Sequence, residues 1–134
     1  MDNYMVKALE EAKKSIKHND VPVGAVIVEN NKIIARAHNT KEKKQNVSRH
    51  AEIIAIEKAC KKKKNWHLNN CIMYVTLEPC MMCWAAINQA RIGKVIYALP
   101  REKRDILDYT QKILGDGAEK SHDLLNDFFA TKRK

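Results

Sequence analysis

The chain has 134 residues and a mass of 15.4 kDa, which fits one compact domain, so we expect a single domain over residues 1–134. Hydrophobic residues make up 45% and charged residues 31%, a balance that excludes an extended disordered chain. The formal net charge of +9 favours an anionic partner such as nucleic acid, although a lysine-rich proteome produces the same charge without one.

The first half of the chain predicts a helix, a strand hairpin and a second helix. Apolar residues recur at helical spacing in both helical segments, and the strands are short apolar runs. Asn30 and Asn31 tolerate positive φ and predict a tight turn between the strands. In chain order the predicted elements are a helix over 4–17, strands over 23–28 and 32–37, a polar loop over 38–48 and a helix over 51–62.

The second half continues the alternation of strands and helices. Pro79 stands at an expected helix start, where its missing N–H is tolerated. The predicted elements are strands over 71–76, 94–98 and 111–114, and helices over 80–90, 101–109 and 119–131. This order predicts an α/β domain: a three-layer α-β-α arrangement in which helices cover both faces of a mixed, five-stranded sheet.

The sequence contains neither a predicted membrane span nor a secretory signal, and this affects the expected location and the expected state of the cysteines. No apolar run approaches the roughly 18–20 residues that a membrane span needs, and the first residues lack the layout of a secretory signal. We therefore expect a cytoplasmic protein with no membrane partner. In that reducing environment a disulfide framework is not expected, so the close pair Cys80 and Cys83 indicates metal or redox chemistry.

The motifs that carry chemistry are His50-Ala51-Glu52 and Pro79-Cys80-Met81-Met82-Cys83, each at a predicted helix N-terminus. Helix dipoles there favour thiolates and a bound hydroxide. His50, Cys80 and Cys83 supply three ligands for Zn²⁺ and leave one tetrahedral position for water, which is the arrangement of a catalytic zinc site. Spacing alone does not exclude Cys60 or Cys71 as a fourth ligand.

Glu52 lies two residues beyond the histidine, close enough to reach a water on the metal without ligating it. A carboxylate in that place can accept a proton from the water and return protons to the ring and the leaving amine. The alternative is a charge that only stabilises the first turn of the helix.

His-Ala-Glu combined with Pro-Cys-x-x-Cys resembles the signature of the cytidine deaminase-like zinc superfamily. Within it the chain is most similar to the bacterial tRNA-specific adenosine deaminases, from the first helix to the last. The stretches that carry the resemblance are residues 21–26, 38–39, 50–52, 74–83, 91–95 and 127–129.

This resemblance implies deamination of the wobble adenosine of a tRNA to inosine, with attack by zinc-activated hydroxide on C6 and release of ammonia. It implies Zn²⁺ as cofactor, Glu52 as the catalytic residue, a tRNA anticodon loop as partner and a homodimer. Asn39 and Ala51 match residues at the substrate, and Phe128 and Phe129 match an aromatic pair near the RNA.

Two departures from the family pattern leave alternatives open. Residues 98–105 replace a glycine-, alanine- and serine-rich segment beside the family's active site, and Arg49 stands where a small residue is usual. Arg49 either binds a phosphate or forms a surface ion pair. A deaminase of a free base or nucleoside, such as guanine, cytosine or cytidine, is therefore the alternative function, and a non-catalytic zinc-stabilised RNA-binding module is a third.

Overall fold

The computed structural model describes residues 2–101 and 118–132. In chain order the elements are α1 (Asn3–Ile16), β1 (Gly24–Glu29), β2 (Lys32–His38), α2 (Lys41–Lys44), α3 (Ala51–Lys63), β3 (Cys71–Leu77), α4 (Met81–Gln89), β4 (Lys94–Leu99) and α5 (Ala118–Lys132). The predicted strand over 111–114 lies outside the described residues, as does the predicted helix over 101–109 apart from Arg101. In the described ranges no helix is both long and apolar enough to cross a membrane.

The described strands form one sheet in the order β2-β1-β3-β4. Strand β1 runs antiparallel to β2 and to β3, whereas β3 and β4 are parallel. The parallel pair needs a crossover, which α4 provides between the two strands. The prediction of a mixed α/β sheet is confirmed, with four strands in the described part of the chain.

The turn between β1 and β2 forms as the asparagine pair predicts. Asn30 and Asn31 have φ angles of 51° and 62°, so both occupy the left-handed region that a two-residue hairpin turn requires. The register shifts once along the hairpin, between Ile27 and Val28.

Helices cover both faces of the sheet, as predicted. Because side chains alternate along a strand, Ala25 and Ile27 of β1 face one core and Val26 and Val28 face another. The first core includes three fully buried alanines at i, i+4 spacing on α3, and the second includes Met5 and Ala8 of α1. The alanines are Ala51, Ala55 and Ala59. Their small side chains let α3 lie close to the sheet, which fixes the position of its N-terminus.

The segment expected to be a loop over 38–48 contains the short helix α2, so that prediction is wrong in this respect. The buried carboxylate of Asp20 accepts the backbone N–H groups of Glu42 and Lys43 at 2.5 and 3.1 Å. These groups have no partner inside the helix, and an anion at a helix N-terminus is favourable. The stabilising residue therefore comes from the segment between α1 and β1, about twenty residues earlier in the sequence.

Gly24 allows β1 and α1 to meet, and its replacement tests this contact. A Cβ at Gly24 would lie 1.9 Å from the Ala8 carbonyl oxygen and 2.5 Å from the Ala12 nitrogen, both backbone atoms of α1. Because the helix itself must move, we expect Gly24→Ala to lower the free energy of unfolding by about 3 kcal/mol, at the upper end for overpacked cores. Urea denaturation measures the change.

Gly93→Ala is the matched control, since its Cβ would approach only one backbone atom below 3 Å, the Asn69 oxygen at 2.9 Å. We expect it to be clearly less destabilising than Gly24→Ala. Equal unfolding midpoints for Gly24→Ala and the wild type would contradict the close packing of β1 on α1.

Candidate metal centre

Three potential metal ligands that are distant in sequence meet at one point. The Nδ1 atom of His50 lies 3.7 Å from the sulfur of Cys80 and 3.5 Å from that of Cys83. One ligand atom from each residue lies within 4.8 Å of the other two. The structure therefore brings together the three residues that the sequence predicts as ligands.

Two helix N-termini build this cluster. His50 is the N-cap of α3 and Cys80 the N-cap of α4, both with extended backbone, and Cys83 follows in the first turn of α4. The His50 side chain makes no capping hydrogen bond to α3, and the Cys80 sulfur accepts hydrogen bonds from Cys83 in the first turn of α4 and from His50. The three side chains therefore face one another, and the free N–H groups of two helices favour negative charge between them.

The donor set fits zinc in kind and in spacing. Zn–S bonds of about 2.3 Å and Zn–N bonds of about 2.05 Å at a tetrahedral angle require N···S separations of about 3.6 Å. The two measured separations lie on either side of this value. Two sulfurs and one imidazole nitrogen are the ligands that zinc prefers, and three protein ligands are typical of a catalytic site.

The protonation of the cluster reflects its close packing. A hydrogen bond from Cys83 and another from His50 lower the pKa of Cys80 to about 3, so Cys80 is a thiolate. The hydrogen bond to that thiolate, together with burial, raises the pKa of Cys83, and the contact with Cys80 raises the pKa of His50. One thiolate is thus ready to bind a cation, and the second forms when a metal displaces the proton.

Glu52 lies in the first turn of α3 and is 2% exposed. Burial raises the pKa of its carboxyl group, and the neighbouring His50, Cys80 and Cys83 all act on it. A carboxyl group with a raised pKa exchanges protons closer to neutral pH, which suits a general acid and base. Glu52 is therefore a carboxylate beside the three ligands that is not one of them.

Cys60 and Cys71 do not join the cluster within the described part of the chain. The sulfur of Cys71 contacts Glu29 at the start of β3, whereas Cys80 follows the other end of that strand, about 20 Å further on. The Cys60 sulfur bonds to the Trp66 carbonyl oxygen. None of the four cysteines is in a disulfide bond. The alternative of a fourth sulfur ligand, left open by the spacing, finds no support.

Asn39, the predicted substrate contact, is buried and held rigidly. Its amide nitrogen donates to the Val21 carbonyl oxygen at 3.1 Å, and its amide oxygen accepts from the Lys41 N–H at 3.0 Å. The Ser15 hydroxyl donates to its backbone carbonyl at 2.8 Å. One N–H and one lone pair of the amide remain for another partner. Nothing in the sequence marks Ser15 as a support for this segment.

Ala51 is fully buried among the core residues between α3 and the sheet. Its methyl group is therefore not accessible to a ligand. The group it can offer is its backbone N–H at the first position of α3, which has no intrahelical acceptor.

The aromatic pair on α5 is half-exposed. Phe128 and Phe129 lie edge to face, with ring centroids 5.5 Å apart and 55% and 50% of their surfaces exposed. Half-exposed aromatic rings are a type of surface on which unpaired bases can stack. Their predicted role at the substrate stays a prediction.

Arg49 forms the ion pair that was one of its two alternatives. Its two terminal nitrogens donate to the two carboxylate oxygens of Glu57 at 2.7 and 2.8 Å. The pair raises the pKa of Arg49 and lowers that of Glu57. Its Nε is buried and has no hydrogen-bond partner among residues 2–101 and 118–132.

An apolar groove of about 800 Å³ lies on the α1 side of the sheet, away from the cluster. Its walls include Leu9 and Ile16 of α1, Val21, and Leu99 at the end of β4. None of the metal ligands lines it, and it holds few groups capable of chemistry. The three-ligand cluster is the better candidate site because it contains the reactive side chains.

The chain is similar to known deaminases in sequence and in fold. Residues 1–133 match the family model described as MafB19-like deaminase. The chain is 37% identical over 143 aligned positions to the tRNA-specific adenosine deaminase of Aquifex aeolicus (strain VF5), covering 97% of this chain and 95% of that protein. It is 48% identical over 94 residues to the enzyme of the same name from Bacillus subtilis (strain 168), covering 70% of this chain.

That second match spans 58% of the length of the Bacillus subtilis protein, so the chain covers less than two thirds of this relative. The X-ray structure of guanine deaminase from Bacillus subtilis is similar in fold, with a TM-score of 0.75 and 28% identity over 94% of this chain and 95% of that one. The similarity extends through the α/β sheet and its flanking helices, which confirms the predicted fold class.

Proposed function

This chain belongs to the MafB19-like deaminase family, and from that premise we propose that it is a zinc-dependent hydrolytic deaminase that converts the wobble adenosine of a tRNA to inosine. The observation that carries the proposal is the convergence of His50, Cys80 and Cys83 beside the buried carboxyl group of Glu52. The names of the two relatives, which are 48% and 37% identical, support the tRNA substrate.

His50, Cys80 and Cys83 would hold the zinc ion, and its role is to activate water. Bound zinc lowers the pKa of a coordinated water from about 16 to about 7, which makes a nucleophile available at neutral pH. The two thiolates would offset the 2+ charge of zinc, and the partial positive charge of the two helix N-termini would favour the thiolates and a bound hydroxide. The buried surroundings of Cys83 exclude bulk water from one side.

Glu52 would move the protons of the reaction. Its carboxyl group would take one proton from the attacking water and pass it to N1 of adenine. It would then take the second proton from the new hydroxyl group on C6 and give it to the amine, so that the C6–N bond breaks, ammonia leaves and inosine remains. Asn39 would hold the nucleoside through the free half of its amide, and Ala51 through its backbone N–H. The rigid support of Asn39 suits orientation of the substrate.

The surface of the chain suits a nucleic acid. The net charge of +9 attracts RNA, and Phe128 and Phe129 would stack on bases of the anticodon loop. We further propose that the chain acts as one domain over residues 1–134, as a homodimer and in the cytoplasm. The match of residues 1–133 to one family model supports the single domain, and the homodimer is what the family resemblance implies.

A second candidate is deamination of a free base. The likeness to guanine deaminase over 94% of this chain favours it, and so does the departure of residues 98–105 from the adenosine deaminase pattern. The identity of 28% is well below that to the tRNA-specific relatives, which places this candidate second.

A parallel assay separates the two. We expect inosine from a tRNA anticodon stem-loop carrying adenosine at the wobble position, with kcat/KM at least about 100-fold above that for free guanine, cytosine or cytidine, because RNA contacts add binding energy absent from small substrates. Mass spectrometry of digested RNA and ammonia release are the two readouts. Turnover of a free base without any inosine in the RNA would reverse the order of the candidates.

A further inference from the structure

Three basic side chains from different parts of the chain converge on a small cavity next to the metal centre. The cavity has a volume of about 200 Å³ and is lined by His38, Thr40, Lys44, Arg49, Ile54 and Lys58. Lys44 ends α2, Arg49 directly precedes His50, and Lys58 lies on α3. We propose that this cavity binds a backbone phosphate of the RNA beside the target nucleotide, an inference that rests on the proposed function.

Both chain segments that wall the cavity lead directly into the candidate site. Thr40 follows Asn39, and Arg49 precedes His50. The Thr40 N–H donates to the Arg49 carbonyl oxygen at 3.0 Å and holds the two segments together. Along the chain, the cavity residue Thr40 is therefore next to the predicted nucleoside contact Asn39, and the cavity residue Arg49 is next to a metal ligand. A nucleotide in the site would carry its flanking phosphates past this position.

The charges of the cavity are only partly neutralised. Lys58 donates to the neutral carbonyl oxygen of Arg36 at 2.8 Å and forms no ion pair within the part of the chain that the structure describes. Lys44 takes part in no ion pair with the described residues, and no acidic residue lines the cavity. Glu57 compensates Arg49 alone. Three cations and one nearby carboxylate leave an excess of positive charge that an anion can balance.

The volume of the cavity and its N–H donors indicate which anion it can bind. Pockets that hold drug-sized ligands measure about 300–1,000 Å³, so a cavity of 200 Å³ suits a phosphate group better than a nucleobase. Lys58 retains two N–H donors and Lys44 three, and the guanidinium of Arg49 stands beside them. The same chemistry would accept the phosphate of a free mononucleotide, so the test compares RNA with AMP.

The neighbouring surface extends this basic region towards the site. Lys41 and Lys43 of α2 are exposed and form no ion pair with the described residues. Thr40 is the N-cap of α2 and donates to the carbonyl oxygen of Arg49, the residue before His50, so α2 begins close to the metal centre. The RNA strand would thus meet cations on α2 before it reaches the cavity.

The test uses Lys58→Glu and Lys44→Glu, with Lys62→Glu, an exposed lysine later on α3, as the matched control. Binding of the stem-loop RNA is measured by fluorescence anisotropy in a Glu52→Gln background, where no turnover occurs. We expect each cavity variant to raise Kd about tenfold and to flatten the slope of log Kd against log salt by about 0.7–1, as for one lost phosphate contact. The control should change Kd less than about twofold.

Activity assays with Glu52 intact exclude a purely structural role. For Lys58→Glu we expect KM for the RNA to rise, kcat at saturating RNA to stay within about twofold, and zinc content and melting temperature to match those of Lys62→Glu. Equal effects of the cavity variants and the control on RNA binding would overturn the proposal. So would a loss confined to AMP, since the phosphate would then belong to a mononucleotide.

The outcome also separates this inference from the proposed function. If the wild type edits RNA and the cavity variants behave like Lys62→Glu, the cavity assignment is wrong and the function stands. If the wild type produces no inosine from RNA, the function is wrong and the cavity assignment is withdrawn with it.

Discussion

Glu52→Gln is expected to abolish deamination while the chain keeps its zinc and its fold. Glutamine matches glutamate in shape, so the buried space beside Cys83 stays filled, but its amide cannot accept or deliver a proton. A single proton transfer by a positioned side chain contributes roughly 10²–10⁴-fold, and Glu52 is assigned more than one. We therefore expect kcat to fall by about 10⁴-fold or more.

Three measurements on one preparation check this: inosine formation, zinc per chain, and melting temperature. Glu10→Gln provides the control, because Glu10 is a half-exposed carboxylate on α1, across the sheet from α3. It should retain wild-type activity. Retention of more than about a tenth of the activity by Glu52→Gln would show that another group carries the protons, since general acid–base catalysis is worth far more than that.

The pH dependence of kcat gives a second view of the same residue. Burial raises the pKa of Glu52 above the ordinary carboxyl value, so its proton-accepting form is lost at a higher pH than for an exposed carboxylate. If that group limits the rate, kcat falls as the solution is acidified towards this raised pKa. The acid limb should be absent from the residual rate of Glu52→Gln.

The parts of the site that follow from sequence are those fixed locally. His50 and Cys80 become N-caps because each precedes a segment with helical spacing, and Cys83 lies three residues further along the same first turn. Spacing within one turn places two sulfurs together without knowledge of the rest of the fold. The hairpin between β1 and β2 could also be predicted from neighbouring residues, because Asn30 and Asn31 readily adopt the positive φ angles that its turn requires.

The parts that the sequence could not reveal depend on partners far along the chain. Helix α2 exists because Asp20, more than twenty residues earlier, accepts the N–H groups at its start. Its own sequence is four polar residues, which by itself is typical of a loop. Asn39 is likewise fixed by Ser15, on the helix that packs against the sheet. Only the folded chain brings these groups together.

For Arg49, the sequence could not predict which group its side chain contacts. The sequence left an ion pair and a phosphate contact as equal alternatives, and the structure contains the ion pair with Glu57. It also places Arg49 at a cavity with two lysines, so one guanidinium can serve both roles. Charge alone could not distinguish them, because the partners come from α2 and from later turns of α3.

Cys83→Ser is expected to remove the metal and with it all deaminase activity. Cys83 is fully buried at the centre of the cluster, so no other side chain can take its place, and a hydroxyl is a far poorer zinc ligand than a thiolate. We expect zinc to fall from about one ion to below about 0.1 per chain after dialysis, and activity to fall to background, since zinc supplies the nucleophile. Metal content by atomic emission and inosine formation are the direct readouts.

Stability provides an independent readout, because a ligand that binds only the folded state stabilises it. Free zinc at about 1,000 times its Kd adds about 4 kcal/mol to the free energy of unfolding. The melting temperature of the wild type should therefore rise when zinc is added and fall when a chelator removes it. That of Cys83→Ser should respond to neither, whatever its starting value.

Cys71→Ser is the matched control for the cost of burying a serine hydroxyl, since Cys71 is as buried as Cys83 but lies at the opposite end of β3. With zinc removed, Cys71→Ser should have a melting temperature about as low as that of Cys83→Ser. With zinc present, Cys71→Ser should bind the metal and keep its activity. Zinc loss in Cys71→Ser would mean that a fourth sulfur reaches the metal. The position that a deaminase needs for water would then be closed, and the site would be structural.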